Sequence, residues 1–306
     1  MNDKKFEPNG VLIVNKPEGI TSHDVVGKIR KLYGTRKVGH TGTLDPLATG
    51  VLVILLGRAA KAAEYLVADR KTYRARLTLG LTTDTEDITG KVLSQSNDIP
   101  SCEQVMSACG EFVGKIKQIP PMYSALKVDG KKLYDLAREG IEVERAARDI
   151  EIFRLDCAPT EKANEYELYV ECSSGTYIRT LCADIGARLG CGGVMSALHR
   201  VRAGGFDIAN SHTLEALEAL DIDARYGLLA PTESLFSELE AVQLPAFYEK
   251  LCRSGCEIYQ SKIKSNLAVG ERVRLCSANG EFFALGEVRE YENGTAIKSI
   301  KMFSLE

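Results

Sequence analysis

The sequence predicts an α/β chain in two unequal parts: a large mixed body and a small β-rich module at the end. Three observations predict it. Short apolar or alternating runs such as "VLIV" (11–14), "VLVILL" (51–56), "KTYRARLTLG" (71–80) and "EYELYVEC" (Glu165–Cys172) read as strands. Between them lie stretches with apolar residues at helical spacing. Beyond Pro245 the turn signals "VGE", "ANG" and "ENG" separate short β-rich runs, which marks a small β-barrel and a boundary near 242–248.

The elements follow in order. The strand at 11–14 ends in the turn "NKPEG" (15–19). Ser22 is placed to cap a helix with Val25, Val26, Ile29, Leu32 and Tyr33 on one face, stopped by Gly34. Lys28, Arg30, Lys31, Arg36 and Lys37 decorate that helix and its exit. Next comes "VGHTGTLDPLATGVLVILLG" (38–57), a Gly/Thr-rich loop running into an apolar strand, with Asp45 between Leu44 and Pro46. "AAKAAEYLVA" (59–68) reads as helical. In "KTYRARLTLG", Tyr73, Ala75, Leu77 and Leu79 share one face, and Arg74, Arg76 and Thr78 share the other. "TTDTEDITG" (82–90) is an acidic turn, and Ser101 with Gln104 fits a capping box for a helix reaching Gly110.

"IPPMYSALKVDGKKLYDLAREG" (119–140) interleaves Tyr123 and Tyr134 with Lys127, Lys131, Lys132 and Arg138, a pattern suited to base stacking and phosphate contact. "SSGTYIRTLCADIGARLG" (173–190) is a Gly turn leading into a helix with Ile178, Leu181, Cys182, Ile185 and Leu189 on its apolar face. From Gly204 to Pro245 the chain turns acidic and partly helical, as in "TLEALEAL" (213–220).

Composition narrows the function classes. The 306 residues, 44% hydrophobic and 26% charged, are ordinary for a soluble globular protein with room for one large and one small domain or for two comparable ones. No apolar run approaches the roughly 18 residues of a membrane helix, and "MNDKKFEPNG" has no apolar leader core. The nine cysteines are scattered with no C-x-x-C pair, and no histidine follows Cys252 and Cys256, so they read as reduced residues of a cytoplasmic protein. The net charge of −3 hides an asymmetry. Residues 1–80 carry fourteen Lys and Arg against seven acids, and residues 207–245 carry eight acids against Arg225 alone. Such a chain either turns one half toward a polyanion or has two solvated faces of opposite sign.

Asp45 is the candidate for chemistry, and its setting admits a nucleophile, a general base, a metal ligand or a turn residue. His40 and Asp45 lack the partners of a recognisable metal set. "GHTGTLDP" is not a phosphate-cradling G-x-x-x-x-G-K-[ST] loop, and no G-x-S-x-G occurs.

Six segments in order carry a resemblance: "VNKPEGITSHDVV", "KVGHTGTLDPLATGVL", "KTYRARLTLG" with "TTDTEDITG", "IPPMYSALKVDGKKLYDLAREG", "SSGTYIRTLCADIGARLG" and "ALHRVRAG". Together, over about 10–205, they resemble the bacterial tRNA pseudouridine-55 synthases, the TruB family. Gly-His-Thr-Gly-x-Leu-Asp-Pro is the most specific piece. The last sixty or so residues resemble, more loosely, the PUA RNA-binding β-barrel. The resemblance implies a pseudouridine synthase fold, a mixed and largely antiparallel sheet flanked by helices, over 1–244. It further implies an RNA-contacting insertion at 119–148 and a PUA-like module at 245–306.

The resemblance also implies a reaction: isomerisation of uridine 55 in the tRNA T loop by base flipping, with no cofactor and no metal, by a monomer acting on the T-arm without guide RNA. Carried over by position, Asp45 falls on the catalytic aspartate, Tyr73 on the tyrosine that stacks on the target base, and Arg179 on the arginine that pairs with the aspartate. His40 falls on the histidine that helps hold the flipped loop, Leu198 on an apolar pocket residue, and Lys16 with Pro17 on a motif buttressing the active-site loop. Tyr123 is assigned to the pocket region, and Lys127, Lys131 and Lys132 to phosphate contact. Burial disfavours an ionised carboxylate and a guanidinium opposite restores it, so an Asp45–Arg179 pair is expected. Two rivals stand beside this reading: an RNA chaperone that binds tRNA without chemistry, and a guide-dependent rRNA pseudouridine synthase.

Overall fold

The computed structural model describes residues 7–66, 70–124, 126–128 and 130–304. The start of the chain, read above as lacking a leader, and the end of the helical run at 67–68 lie outside the described residues.

Among the described residues, thirteen strands precede residue 210: β1 (Gly10–Lys16), β2 (Val38–His40), β3 (Thr49–Leu56), β4 (Lys71–Leu79), β5 (Leu81–Thr83), β6 (Val92–Gln95), β7 (Gly114–Gln118), β8 (Lys127–Val128), β9 (Lys131–Lys132), β10 (Arg148–Pro159), β11 (Glu165–Cys172), β12 (Gly193–Ala203) and β13 (Phe206–Asp207). Nine of them form one sheet in the order β1-β3-β12-β4-β11-β10-β7, with β2 added on β3 and β13 on β12. The β3–β12 pairing is parallel, and the other pairings in this sheet are antiparallel. The mixed, largely antiparallel sheet expected from the resemblance is therefore the sheet that forms.

Its sequence patterns follow from what covers each strand. β1 and β3 are buried on both faces. On one side Leu12, Val14, Leu52, Ile54 and Leu56 meet helix α1 (Ser22–Leu32); on the other Val11, Ile13, Val51, Val53 and Leu55 meet Ala59 and Ala203. Continuous apolar runs are what two-sided burial demands. β4 is covered on one face only, so Tyr73, Ala75, Leu77 and Leu79 are buried while Arg74 and Arg76 face out. Helices α2 (Cys102–Gly110) and α4 (Ile178–Arg188) close that core, with α3 (Leu133–Arg138) between them in the chain. The Ser101–Gln104 capping box is formed.

At α1 the cap is one residue earlier than expected. Thr21 and Asp24 make the capping box, which leaves the hydroxyl of Ser22 free to bond elsewhere. The run expected to be helical after β3 is a 3-10 helix, Gly57–Tyr65. The acidic stretch packs onto the sheet. His212 and Ala230 hydrogen-bond the backbone of β1, and Arg225 donates to the carbonyls of Leu32, Leu217 and Leu220.

A second, five-stranded sheet follows: β14 (Glu240–Gln243), β15 (Ile258–Tyr259), β16 (Arg272–Cys276), β17 (Phe282–Tyr291) and β18 (Gly294–Met302), around a core of its own. It draws its first strand from residues just ahead of Pro245. Phe236, Leu285, Phe303 and Ala62 join the two sheets in one apolar seam. No described helix is long and apolar enough to cross a membrane, and the nine cysteines are free.

Candidate active site

Asp45 lies in the loop between β2 and β3, and buried polar side chains from three elements hold that loop. The Lys16 ammonium, at the end of β1, donates to the carbonyls of Ile20 (2.6 Å), Pro17 (2.8 Å) and Pro46 (3.3 Å). Ser22, at the start of α1, both accepts from the Leu44 N–H (2.8 Å) and donates to the Leu44 carbonyl (3.0 Å). Arg200, in β12, donates to the carbonyls of Val51 (2.7 Å), Gly42 (3.1 Å) and Thr43 (3.4 Å). The residues on both sides of Asp45 are thus pinned, and its side chain stays partly exposed. Burial pulls the Lys16 ammonium pKa down to about 8, with the Asp45 charge working in the opposite direction.

Opposite Asp45 stands Arg179, in the first turn of α4. Its Nε lies 2.9 Å from Asp45 Oδ2, and its side chain is 6% exposed against 37% for the aspartate. Nη1 donates to the Thr85 carbonyl (3.0 Å) and Nη2 to the Tyr123 carbonyl (2.8 Å). Asp87 Oδ2 is 3.8 Å from Nη1. Asp87 is held in turn by the Thr85 and Thr89 hydroxyls and the Thr89 N–H through its other oxygen (2.9, 2.6 and 2.9 Å). The start of α4 is fixed from β7: Gln118 accepts from the Tyr177 N–H (2.8 Å) and donates to the Tyr177 carbonyl (3.0 Å). A guanidinium held on all its edges has one orientation, and Asp45 receives it along one side only.

The floor of the site is apolar. Tyr73 sits mid-strand in β4, 6% exposed, in the cluster that contains Leu44, Ala48, Ile178 and Leu198. Burial raises its phenol pKa, and the neighbouring Arg200 pulls the other way. His40 ends β2, half-buried, and its Nδ1 has no partner among the described residues. Burial lowers its imidazole pKa, with Arg200 and His23 adding in the same direction.

The structure therefore brings Asp45, Arg179, Tyr73, Lys16 and Leu198 into one place. Tyr123 joins through its backbone carbonyl. Lys131 and Lys132 stand exposed on the β8–β9 hairpin, where the Lys132 ammonium is 3.0 Å from the Tyr134 hydroxyl. Lys127 pairs with Lys132 in that hairpin, and its side chain lies outside the described residues.

Ser22, Asp87, Gln118 and Arg200 were not singled out from sequence. The sequence marks Ser22 as a helix cap and places Asp87 in an acidic turn, and the structure buries Asp87 to 6% exposure. The signal for Asp87 is a threonine two residues to either side, Thr85 and Thr89; for Arg200 it is an arginine inside a strand motif. Among the described residues, no cluster of three or more His, Cys, Asp or Glu side chains is placed to hold a metal ion.

Comparison with known proteins identifies the family. Residues 30–178 match the TruB family pseudouridylate synthase N-terminal domain, and residues 179–237 the tRNA pseudouridylate synthase B C-terminal domain. The chain is 43% identical over 297 residues to the tRNA pseudouridine synthase B of Alkaliphilus oremlandii, covering 96% of this chain and 98% of that one. It is 51% identical over 222 residues to the protein of the same name from Syntrophotalea carbinolica, covering 72% of each. Among solved structures, a chain of a Cbf5-Nop10-Gar1 complex superposes with a TM-score of 0.75 at 25% identity, covering 99% of this chain and 91% of that one. A sheet of this order, a loop presenting one aspartate to a buried arginine, and matches of this length lead to one conclusion: the chain belongs to the TruB family of tRNA pseudouridine synthases, which are isomerases.

Proposed function

We propose that this chain converts uridine 55 in the T loop of tRNA to pseudouridine, without guide RNA, using the Asp45 carboxylate. The observation that supports it is the pairing of a half-open Asp45 with a buried, fully hydrogen-bonded Arg179. The reaction breaks the N1–C1′ bond, turns the uracil and forms a C5–C1′ bond, while the C5 proton is lost and N1 gains one. No oxidation and no group transfer to another molecule is involved. Attack at the ribose C1′, addition to the pyrimidine ring and removal of the ribose 2′-proton all begin with one carboxylate beside the nucleoside.

The target base has to leave its stack, which costs a few kcal/mol, and stacking on an aromatic ring returns about 1–3. Tyr73 is the ring at the floor of the pocket, and Leu198 lies beside it in the same cluster. Lys16 holds Pro46 and so the position of Asp45. His40, at the rim, meets the flipped loop. The 119–148 insertion supplies the Tyr123 carbonyl to Arg179 and offers Lys127, Lys131 and Lys132 to the phosphates of the T-arm. The PUA-like unit over 245–306, whose sheet takes β14 from just ahead of it as an edge strand, takes a further part of the tRNA.

Incubation of the purified chain with an unmodified tRNA transcript, followed by mapping of pseudouridines, tests this reading. The expected product is one pseudouridine, at position 55, with no other RNA added. Modification only when a guide RNA is supplied, or tight binding with no modification, refutes it in favour of a guide-dependent enzyme or a chaperone.

A further inference from the structure

Arg200 is among the largest fully buried side chains in the molecule, and the activity reading gives it no task. Its guanidinium faces backbone carbonyls rather than a carboxylate. Burying a charge in that way is expensive, and a well-packed apolar side chain serves stability as well or better. What the guanidinium does is geometric. The carbonyls of Gly42 and Thr43 precede Asp45, and that of Val51 follows it, so one planar group ties both arms of the loop.

The same residue faces Tyr73. Arg200 and Tyr73 are register partners across β12 and β4, and the guanidinium works against burial in setting the pKa of the phenol. The approach of the loop to β12 depends on Gly50, whose φ is +100° and where a Cβ would stand 2.2 Å from the Arg200 carbonyl oxygen. Backbone and side chain of Arg200 therefore both set where the loop lies against the strand that carries Tyr73.

We propose that Arg200 is a positioning residue for pseudouridine formation: it fixes the Asp45 loop against Tyr73, so that carboxylate and phenol keep one separation when the uridine enters. The proposal rests on the activity reading above.

Arg200→Lys keeps the charge and offers one donor group in place of the planar fork; Arg200→Met keeps most of the volume and removes the donors. Each is compared with the wild-type chain in affinity for tRNA, in single-turnover rate on an unmodified transcript, and in amide hydrogen exchange over residues 42–51. For Arg200→Lys the expected result is a rate lower by about 100-fold, affinity within about 3-fold, and exchange over 42–51 faster by about 10-fold with the remaining core protected. Arg200→Met behaves the same way or more severely. A rate within about 3-fold of wild type for Arg200→Lys overturns the proposal. So does a parallel loss of rate, affinity and protection throughout the core, which marks a residue that only stabilises the fold. A wild-type chain that makes no pseudouridine removes the activity reading, and loop exchange then decides by itself whether Arg200 holds the Asp45 loop.

Discussion

Arg179 Nε lies 2.9 Å from Asp45 Oδ2, and the two residues are brought together from separate parts of the chain. Asp45 arrives on a loop tied to β1, α1 and β12. Arg179 arrives on α4, tied to Thr85 before β6 and to Tyr123 after β7. Each partner is positioned by groups that do not touch the other, so pairing them demands little reorganisation when substrate enters.

Replacing Arg179 should therefore act on turnover rather than on binding. Arg179→Lys keeps the charge but cannot reach Asp45, Thr85 and Tyr123 together, and kcat should fall roughly 100-fold with tRNA affinity nearly unchanged. Asp87→Asn removes the second charge near the guanidinium while keeping a hydrogen-bonding side chain, and its loss should be smaller, roughly 10-fold. Single-turnover kinetics beside filter binding separate the two effects.

Tyr73→Leu keeps an apolar side chain in the core and removes the ring. Loss of base stacking worth about 1–3 kcal/mol should lower kcat/KM by roughly 5–150-fold. The melting temperature of the variant checks that the drop is not a folding defect.

Binding should weaken steeply with salt, because contact with RNA phosphates releases counterions. Lys131→Ala and Lys132→Ala should each weaken tRNA binding without touching the single-turnover rate at saturation, and each should reduce the slope of log K against log salt by about 0.7–1. Affinities measured across a salt series give the slope directly.

Asp184, on α4, offers a prediction on stability. Burial, with Glu86 adding its charge, raises its pKa from 3.8 to about 6. The folded chain thus holds this proton over a range in which the unfolded chain has lost it, so stability falls as pH rises from about 4 to 6. At pH 7 the ionised side chain is a burden, and Asp184→Asn should stabilise the fold by about 1–2 kcal/mol after allowance for its partial exposure. The gain should vanish below about pH 4. Thermal unfolding at pH 4 and pH 7 measures it.

Much of this was legible in the sequence where a pattern had one physical cause. "KTYRARLTL" alternates because β4 is covered on one face, and "VLVILL" does not because β3 is covered on both. Asp45 and Arg179 are more than 130 positions apart in the chain, and no periodicity joins them; ordered motifs shared with a family did. What could not be read were the residues that hold others. Ser22 bonds Leu44 because the α1 cap begins one residue earlier. Asp87 is buried because α4 brings Arg179 beside it. Arg200 is buried because β12 lies parallel to β3. Each depends on which strands become neighbours, a property of the whole sheet.

The most direct measurement is single-turnover pseudouridine formation by Asp45→Asn on an unmodified tRNA transcript, beside its affinity for the same RNA. The account predicts no detectable product with wild-type affinity, because the amide keeps the shape of the side chain and loses its charge. Product formed by Asp45→Asn at a rate near that of the wild-type chain would contradict it.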